Sequence, residues 1–179
     1  MSFLNTSATL TQATPIPLPP SRKAAAVARL HDHDFFLNTD PHITGYSPVA
    51  AADPEPTYES YKIPSSVSEK ATEKKVRIYD VQDHVPNPVY SSNITSREEL
   101  VNCTEGLWVR IRSPMAVVME TTWFVREKGE EMELVEQCWV SCNRMLMGIV
   151  KSSIENNWRK IHEEIVNRIV EDAKADGQS

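Results

Sequence analysis

Apolar and polar side chains alternate at period two from Ser7 to Thr14 (SATLTQAT), which predicts a first strand over residues 6–14, closed by Pro15, Pro17, Pro19 and Pro20. The period then changes. In RKAAAVARL, Ala24, Val27, Ala28 and Leu30 recur at helical spacing behind Pro20 and Ser21, and in HDHDFFLNTDPH either Asp32 or Asp34 caps an apolar turn that Asn38 to Pro41 ends. Two short helices are therefore expected within 20–40, followed by a brief strand over Ile43 to Val49. Residues 50–73, with Pro54, Pro56, Pro64 and several Ser, read as a variable crossing loop in which Thr57 to Ile63 is a candidate edge strand.

From 74 to 141 the chain reads as antiparallel strands: VRIYDVQDHV, VYSSNITSREELVNC, GLWVRIRS, MAVVMETTWFVRE and EMELVEQCWV. Turns are expected at Pro86 and Pro88, Glu105-Gly106, Pro114 and Lys128-Gly129. Alternation puts Val117, Met119, Thr121, Trp123 and Val125 on an inward face, opposite Glu120, Thr122 and Arg126. Leu107, Val109 and Ile111 likewise oppose Trp108, Arg110 and Arg112, though the tryptophan leaves the inward side of that strand open. The register of EMELVEQCWV also stays open. Leu146, Val150, Ile154, Trp158, Ile161, Ile165 and Ile169 then step by four or three residues, widened by Ile149, Val166 and Val170. With Lys151, Arg159, Lys160, Glu163 and Glu164 mostly opposite, they predict a helix over 143–173, about 45 Å long.

The elements in order are strand, two short helices, a run of strands and one long amphipathic helix, an α+β arrangement. LTQATPIPLPPS, LHDHDFFLNTDPHITGYSPV, YDVQDHVP, LWVRIRSPMAVVMETTWFV and CNRMLMGIVKSSIENNWRKIHEEIV carry a resemblance to the START-like superfamily, which includes polyketide cyclases, aromatase/cyclases and pollen-allergen-type plant proteins. More narrowly, the chain resembles a family of small fungal proteins of that type. The resemblance implies a helix-grip fold: a curved antiparallel sheet of about seven strands around the C-terminal helix, enclosing an apolar cavity for a lipid, sterol, polyketide or aromatic molecule. It implies architecture more directly than activity, because carriers and cyclising enzymes share the fold.

Composition narrows the classes further. The 179 residues are 40% hydrophobic and 25% charged, enough for one domain that holds its core by packing alone. A net charge of -6 without a dense Lys/Arg block argues against nucleic acid and anionic membrane surfaces as partners, and no run reaches the roughly 20 apolar residues of a membrane span. The N-terminus has neither a basic start nor a long apolar run. Cys103, Cys138 and Cys142 form no CxxC, so neither a disulfide framework nor a structural zinc is expected and the cytoplasm is the default location. Asn93-Ile94-Thr95 and Asn102-Cys103-Thr104 are accordingly read as accidental sequons.

Trp108, Met115, Met119, Trp123, Trp139, Met145 and Ile149, with Met147, form an aromatic and thioether set suited to lining a cavity for a flat or branched apolar ligand. Trp123 and Met119 lead that set, and plain core packing is the competing reading for each member. His31-Asp32-His33-Asp34 combines metal-ligating and proton-transferring side chains, yet its spacing suits a helix C-terminus at His31 and a cap at Asp32 or Asp34. In an enzyme, His31 or His33 would be the first general-base candidate. Asp80, Asp83 and His84 read as a polar turn rather than a pocket-mouth acid-base group, His42 stands alone, and His162 is assigned to the solvated side of the long helix. Arg110 and Arg112 are suited to clamping a carboxylate, although alternation turns them outward toward Glu120 or Glu133. Cys138 and Cys142 read as small buried side chains.

No GxSxG elbow, HExxH or phosphate-cradling glycine loop is present. No cofactor or metal is called for. The first expectation is a single-domain protein, monomer or homodimer, that encloses a hydrophobic small molecule such as a lipid, polyketide or other secondary metabolite. The second is a cofactor-independent cyclase, isomerase or dehydratase of fungal natural-product biosynthesis, and the third an adaptor whose cavity is filled by its own side chains.

Overall fold

The period-two segments join one antiparallel sheet. In the computed structural model, which describes residues 5–50, 57–85 and 92–176, the elements run β1 (Asn5–Ile16), α1 (Lys23–Leu30), α2 (His33–Asn38), β2 (Ile43–Pro48), α3 (Ser65–Ser68), β3 (Arg77–Val85), β4 (Ser92–Cys103), β5 (Gly106–Ser113), β6 (Val117–Lys128), β7 (Glu131–Asn143) and α4 (Arg144–Asp176). The seven strands lie in the order β1-β7-β6-β5-β4-β3-β2. This is the helix-grip fold. Strand β1 runs longer than the alternation of 6–14 alone predicts, because its pairing with β7 continues to Pro15 opposite Glu133 and Ile16 opposite Met132. An edge strand admits that proline, since its outer side needs no ladder donor. The expected turn at Pro86 and Pro88 lies outside the described residues, as do residues 51–56 of the crossing loop.

Register sorts the side chains into rows. Tyr79, Glu98, Ile111, Met119 and Val140 form one inner row; Leu100, Val109, Thr121 and Cys138 form the next; Asn102, Leu107, Trp123 and Glu136 form a third. The inner face carries the main core, where Ile16, Leu30, Leu107, Val125, Met132 and Leu134 meet Ile165, Val166 and Ile169 of α4. Gly106 opens β5 where a Cβ would lie 1.9 Å from the Trp123 carbonyl oxygen, so no other residue lets the β4–β5 hairpin close against β6.

The outer face is not left to solvent. Residues 57–71 fold back over it in turns and the short α3, bringing Tyr58, Tyr61, Ile63 and Val67 onto Val101, Cys103 and Trp108 as a second apolar cluster. This corrects the edge strand expected over Thr57 to Ile63. The segment supplies side chains and carbonyls to a sheet face rather than ladder bonds to a sheet edge. Lys62 takes a left-handed backbone (φ 53), and the carbonyls of Tyr61 and Lys62 both accept from the Arg110 guanidinium at 2.9 Å. Thr72 N–H bonding to the Asn102 carbonyl at 2.9 Å pins the return of the segment.

Helix α4 crosses the inner face but is seated at one end only. Its buried residues are His162, Ile165, Val166 and Ile169, all in the C-terminal half. There Arg29 of α1 bonds Asp172 at 2.8 Å. The N-terminal half buries none, and Met145 and Ile149 are exposed. No described helix is long and apolar enough to cross a membrane.

Candidate functional site

Where the N-terminal half of α4 stands off the sheet, a cavity of about 170 Å³ remains. Its floor is the inner face of β5 to β7, with Val109, Ile111, Met119, Thr121, Trp123 and Cys138; Ile154, Trp158 and Ile161 of α4 roof it, and Phe36 and Leu37 of α2 close one side. Thr39, Asp40 and Ile43 face Ser153 and Asn157 around the remaining wall. The His42 ring nitrogen and Asn157 Oδ1, 3.0 Å apart, tie the start of β2 to α4 beside it. Volumes of about 150 Å³ accept a single benzene ring, whereas drug-sized ligands occupy about 300–1,000 Å³, so this enclosure suits one ring or a short branched chain.

Few polar groups reach this space. Glu98, only 5% exposed, lines the cavity from β4. No described side chain hydrogen-bonds to it, and burial, reinforced by the charges of Asp83 and Asp40, pushes its carboxyl up to about 8. Asp83, on the same face of β3, is pushed up to about 6, again chiefly by burial and then by Asp40, although the Ser96 hydroxyl donates to it at 3.4 Å. Asp40 accepts the His42 backbone N–H at 2.9 Å. The cavity lining contains no Lys or Arg among the described residues. Among the described residues no cluster has a metal-holding arrangement.

Glu136 lines the cavity three strands away from Glu98, on the row of Trp123. Behind it His162 is fully buried, its Nδ1 hydrogen-bonded to the Thr14 hydroxyl at 2.9 Å and its Nε2, which makes no hydrogen bond, 3.4 Å from Glu136 Oε2. Its ring sits between Trp123 and Trp158, with centroids 5.0 and 5.3 Å away. The expectation of a solvated His162 is therefore corrected: one turn beyond Trp158 it lies within the apolar stripe, and the Thr14 hydroxyl satisfies one ring nitrogen there.

Of the aromatic and thioether set, Met119 and Trp123 line the cavity and the others do not. Trp108 points through the opposite face, where residues 57–71 cover it and Arg110 stacks on its ring at 4.8 Å. Trp139 shares the outer row of Glu99, Arg110 and Glu120 and is 41% exposed. Met115, Met145 and Ile149 are exposed rather than lining: Met115 lies in the β5–β6 turn, and α4 buries no residue before His162. His31 and His33 also stay out of the cavity. His31 Nε2 bridges the carbonyls of Cys103 and Gly106, and His33 bonds Asn102 Oδ1 at 2.8 Å and Tyr79 Oη at 3.2 Å, with burial lowering its pKa. Both fasten the helical segment to the β4–β5 hairpin, while Asp32 caps α2 through Phe35 N–H. The Cys138 thiol, which does line the cavity, is pushed up to about 12 by burial and is inert as a nucleophile.

Among the cavity residues that escape the sequence reading are two carboxyls of the sheet. Glu98 and Glu136 sit in runs of charge (SREELV, ELVEQC) that look solvated, and only their period-two spacing from Leu100 and from Leu134 and Cys138 marks them as inward.

Residues 5–171 match a family model described as a domain of unknown function, DUF7053. No curated protein matches the chain. Solved structures do. The Zhui aromatase/cyclase from Streptomyces sp. R1128 superposes with a TM-score of 0.60 at 11% identity, over 96% of this chain and 99% of its own. The di-domain ARO/CYC BexL from the BE-7585A biosynthetic pathway gives 0.61 at 11% identity, over 90% of this chain and 49% of its own. TTHA0849 from Thermus thermophilus gives 0.58 at 16% identity, over 91% and 97%. At these identities the likeness is one of fold.

Proposed function

This chain belongs to the DUF7053 family, and on that premise we propose that it binds a small, mainly apolar molecule between its sheet and its C-terminal helix. The observation that supports the reading is the cavity itself, bounded by Ile111, Met119, Trp123, Ile154 and Trp158 at the one place where α4 leaves the sheet unpacked. A cavity of this composition gains by excluding water from an apolar ligand, and its few polar groups fix orientation. The aromatase/cyclases that share the fold fit this reading.

Trp123 and Trp158 both line the space, so tryptophan emission reports occupancy. The test is native mass spectrometry and solvent extraction of protein from its own source, followed by emission titrations with small arenes. Recovery or uptake by the wild type and by Trp108→Ala, with loss in the cavity-filling Ile111→Trp, is expected. An empty wild type that takes up no arene overturns the reading.

A second reading, a cofactor-independent cyclase, isomerase or dehydratase, is favoured by Glu98. A carboxyl held near 8 inside an apolar cavity is poised to give or take a proton near neutral pH. In a carrier Glu98→Gln changes affinity alone; in such an enzyme it abolishes turnover while the ligand still binds.

A further inference from the structure

On the outer face the buried Glu99 and Glu133 and the half-buried Glu120 each have a basic partner. Glu99 holds Arg110 and Arg112, Glu120 holds Arg110, and Glu133 holds Arg126 and Lys128. The carboxyls on the β2 to β4 side of the inner cavity have no such ion pair among the described residues. The ionisable groups around Glu98 are Asp83 and Tyr79 on β3 and Asp40 and His42 at the start of β2; β5 presents Ile111, and α4 presents Ile154 and Asn157. Of these only His42 is a base, and its ring is engaged by Asn157.

Resting on the cavity reading above, we infer that the enclosed molecule is a cationic amine, its ammonium seated between Glu98 and Asp40 and its apolar body against Met119, Trp123 and Trp158. Three lines lead to this class. An anionic ligand meets carboxyls with no compensating cation, and a neutral one leaves Glu98 protonated, so that the acid contributes no charge to binding. An ammonium supplies a charge of the opposite sign, and its three donors suit the carboxyls of Glu98 and Asp40 that line the same cavity. The usual objection to a buried ion pair is the cost of desolvating both ions; for Glu98 that cost is expressed in its raised carboxyl pKa, so near neutral pH it amounts to giving up one proton while the amine is stripped of water. The aromatic walls formed by Phe36, Trp123 and Trp158 add attraction for a cation, and the volume fits one ring on a short alkyl chain.

Proton balance gives a signature. In the empty protein Glu98 is neutral below about pH 8; pairing with an ammonium ionises it and releases one proton to solvent. Affinity for an amine therefore rises with pH by up to about tenfold per unit below the carboxyl pKa, and an alkylammonium keeps its own charge to about pH 10. A neutral arene shows no such rise.

The experiment titrates the full chain with 2-phenylethylammonium, 3-phenyl-1-propanol and 3-phenylpropanoate, read by tryptophan emission from about pH 6 to 9. The amine is expected to bind about tenfold tighter than the alcohol, and the carboxylate weakest. The advantage should grow with pH and vanish in Glu98→Gln, whose retained unfolding midpoint shows that the fold is kept; Asp40→Asn should reduce it as a second, independent variant. Alcohol binding as tight as amine binding, or an amine affinity that neither pH nor either variant changes, overturns the inference and leaves the cavity reading standing. If none of the three probes binds, both fall.

Discussion

Glu98 and Glu99 are neighbours in β4 with nearly equal burial, 5% and 4% exposed, and they point to opposite faces of one sheet. On the outer face Glu99 bonds Arg110 at 3.0 Å and Arg112 at 2.9 Å. Arg110 in turn spends its remaining donors on Glu120 and on two carbonyls of the 57–71 segment. On the inner face Glu98 has no ion pair among the described residues, and the charges that act on it, Asp83 and Asp40, share its sign. The contrast separates two uses of a buried charge. A network with every donor and acceptor matched fixes the path of a chain segment, whereas an unmatched group beside a cavity costs stability and keeps the capacity to bind.

The largest expected effect comes from breaking the matched side. Arg110→Met leaves Glu99 buried without its innermost partner and two carbonyls without donors, and should cost about 3–5 kcal/mol in urea denaturation. A loss under about 1 kcal/mol would mean that the network is ornamental.

The unmatched side should respond with the opposite sign. Below about 4.5, the ordinary value for Glu98, the carboxyl is protonated folded or unfolded. Above it the unfolded chain ionises first, so stability falls as pH rises until the folded group ionises near 8. Glu98→Gln should therefore be more stable than the wild type near pH 7.5, by up to about 4 kcal/mol, and close to it near pH 4. A smaller slope between about 4 and 6 should persist in the variant, because Asp83 is raised in the same direction. Parallel wild-type and variant curves across that range would show that Glu98 is solvated after all.

The smallest effect sharpens the rule that burial, rather than pairing alone, gives the outer network its weight. Arg97 and Asp80 meet at 3.0 Å but are 54% and 41% exposed. Arg97→Ala should shift the denaturation midpoint by no more than about 0.5 kcal/mol.

The fold was legible because its signals are periodic. The alternation through Met119 and Trp123 and the four-three stripe from Leu146 to Ile169 correspond to the sheet and the helix that grips it. The site was less legible, and for identifiable reasons. In GLWVRI both faces are apolar around Trp108, the mark of a strand covered on both sides, yet the covering segment has the Pro and Ser content of a loop. A stripe of apolar residues shows which side of α4 faces the sheet but not how far along the helix the packing extends, so it predicts Met145 and Ile149 as lining, whereas both are exposed. Glu98 could have been found by weighing its spacing from Leu100 above its charge.

A helix whose buried residues, His162, Ile165, Val166 and Ile169, all lie in one half is a cantilever. Its arm forms one wall of the cavity, held beside β2 by the bond between His42 and Asn157. Lifting that arm breaks less packing than lifting the anchored half, so traffic in and out runs on the clock of a local opening while the anchored end keeps the sheet gripped. Amide exchange should accordingly be fast along 144–157 and slow along 162–170, and residence time and global stability should be separately tunable by substitutions on the two halves of one helix.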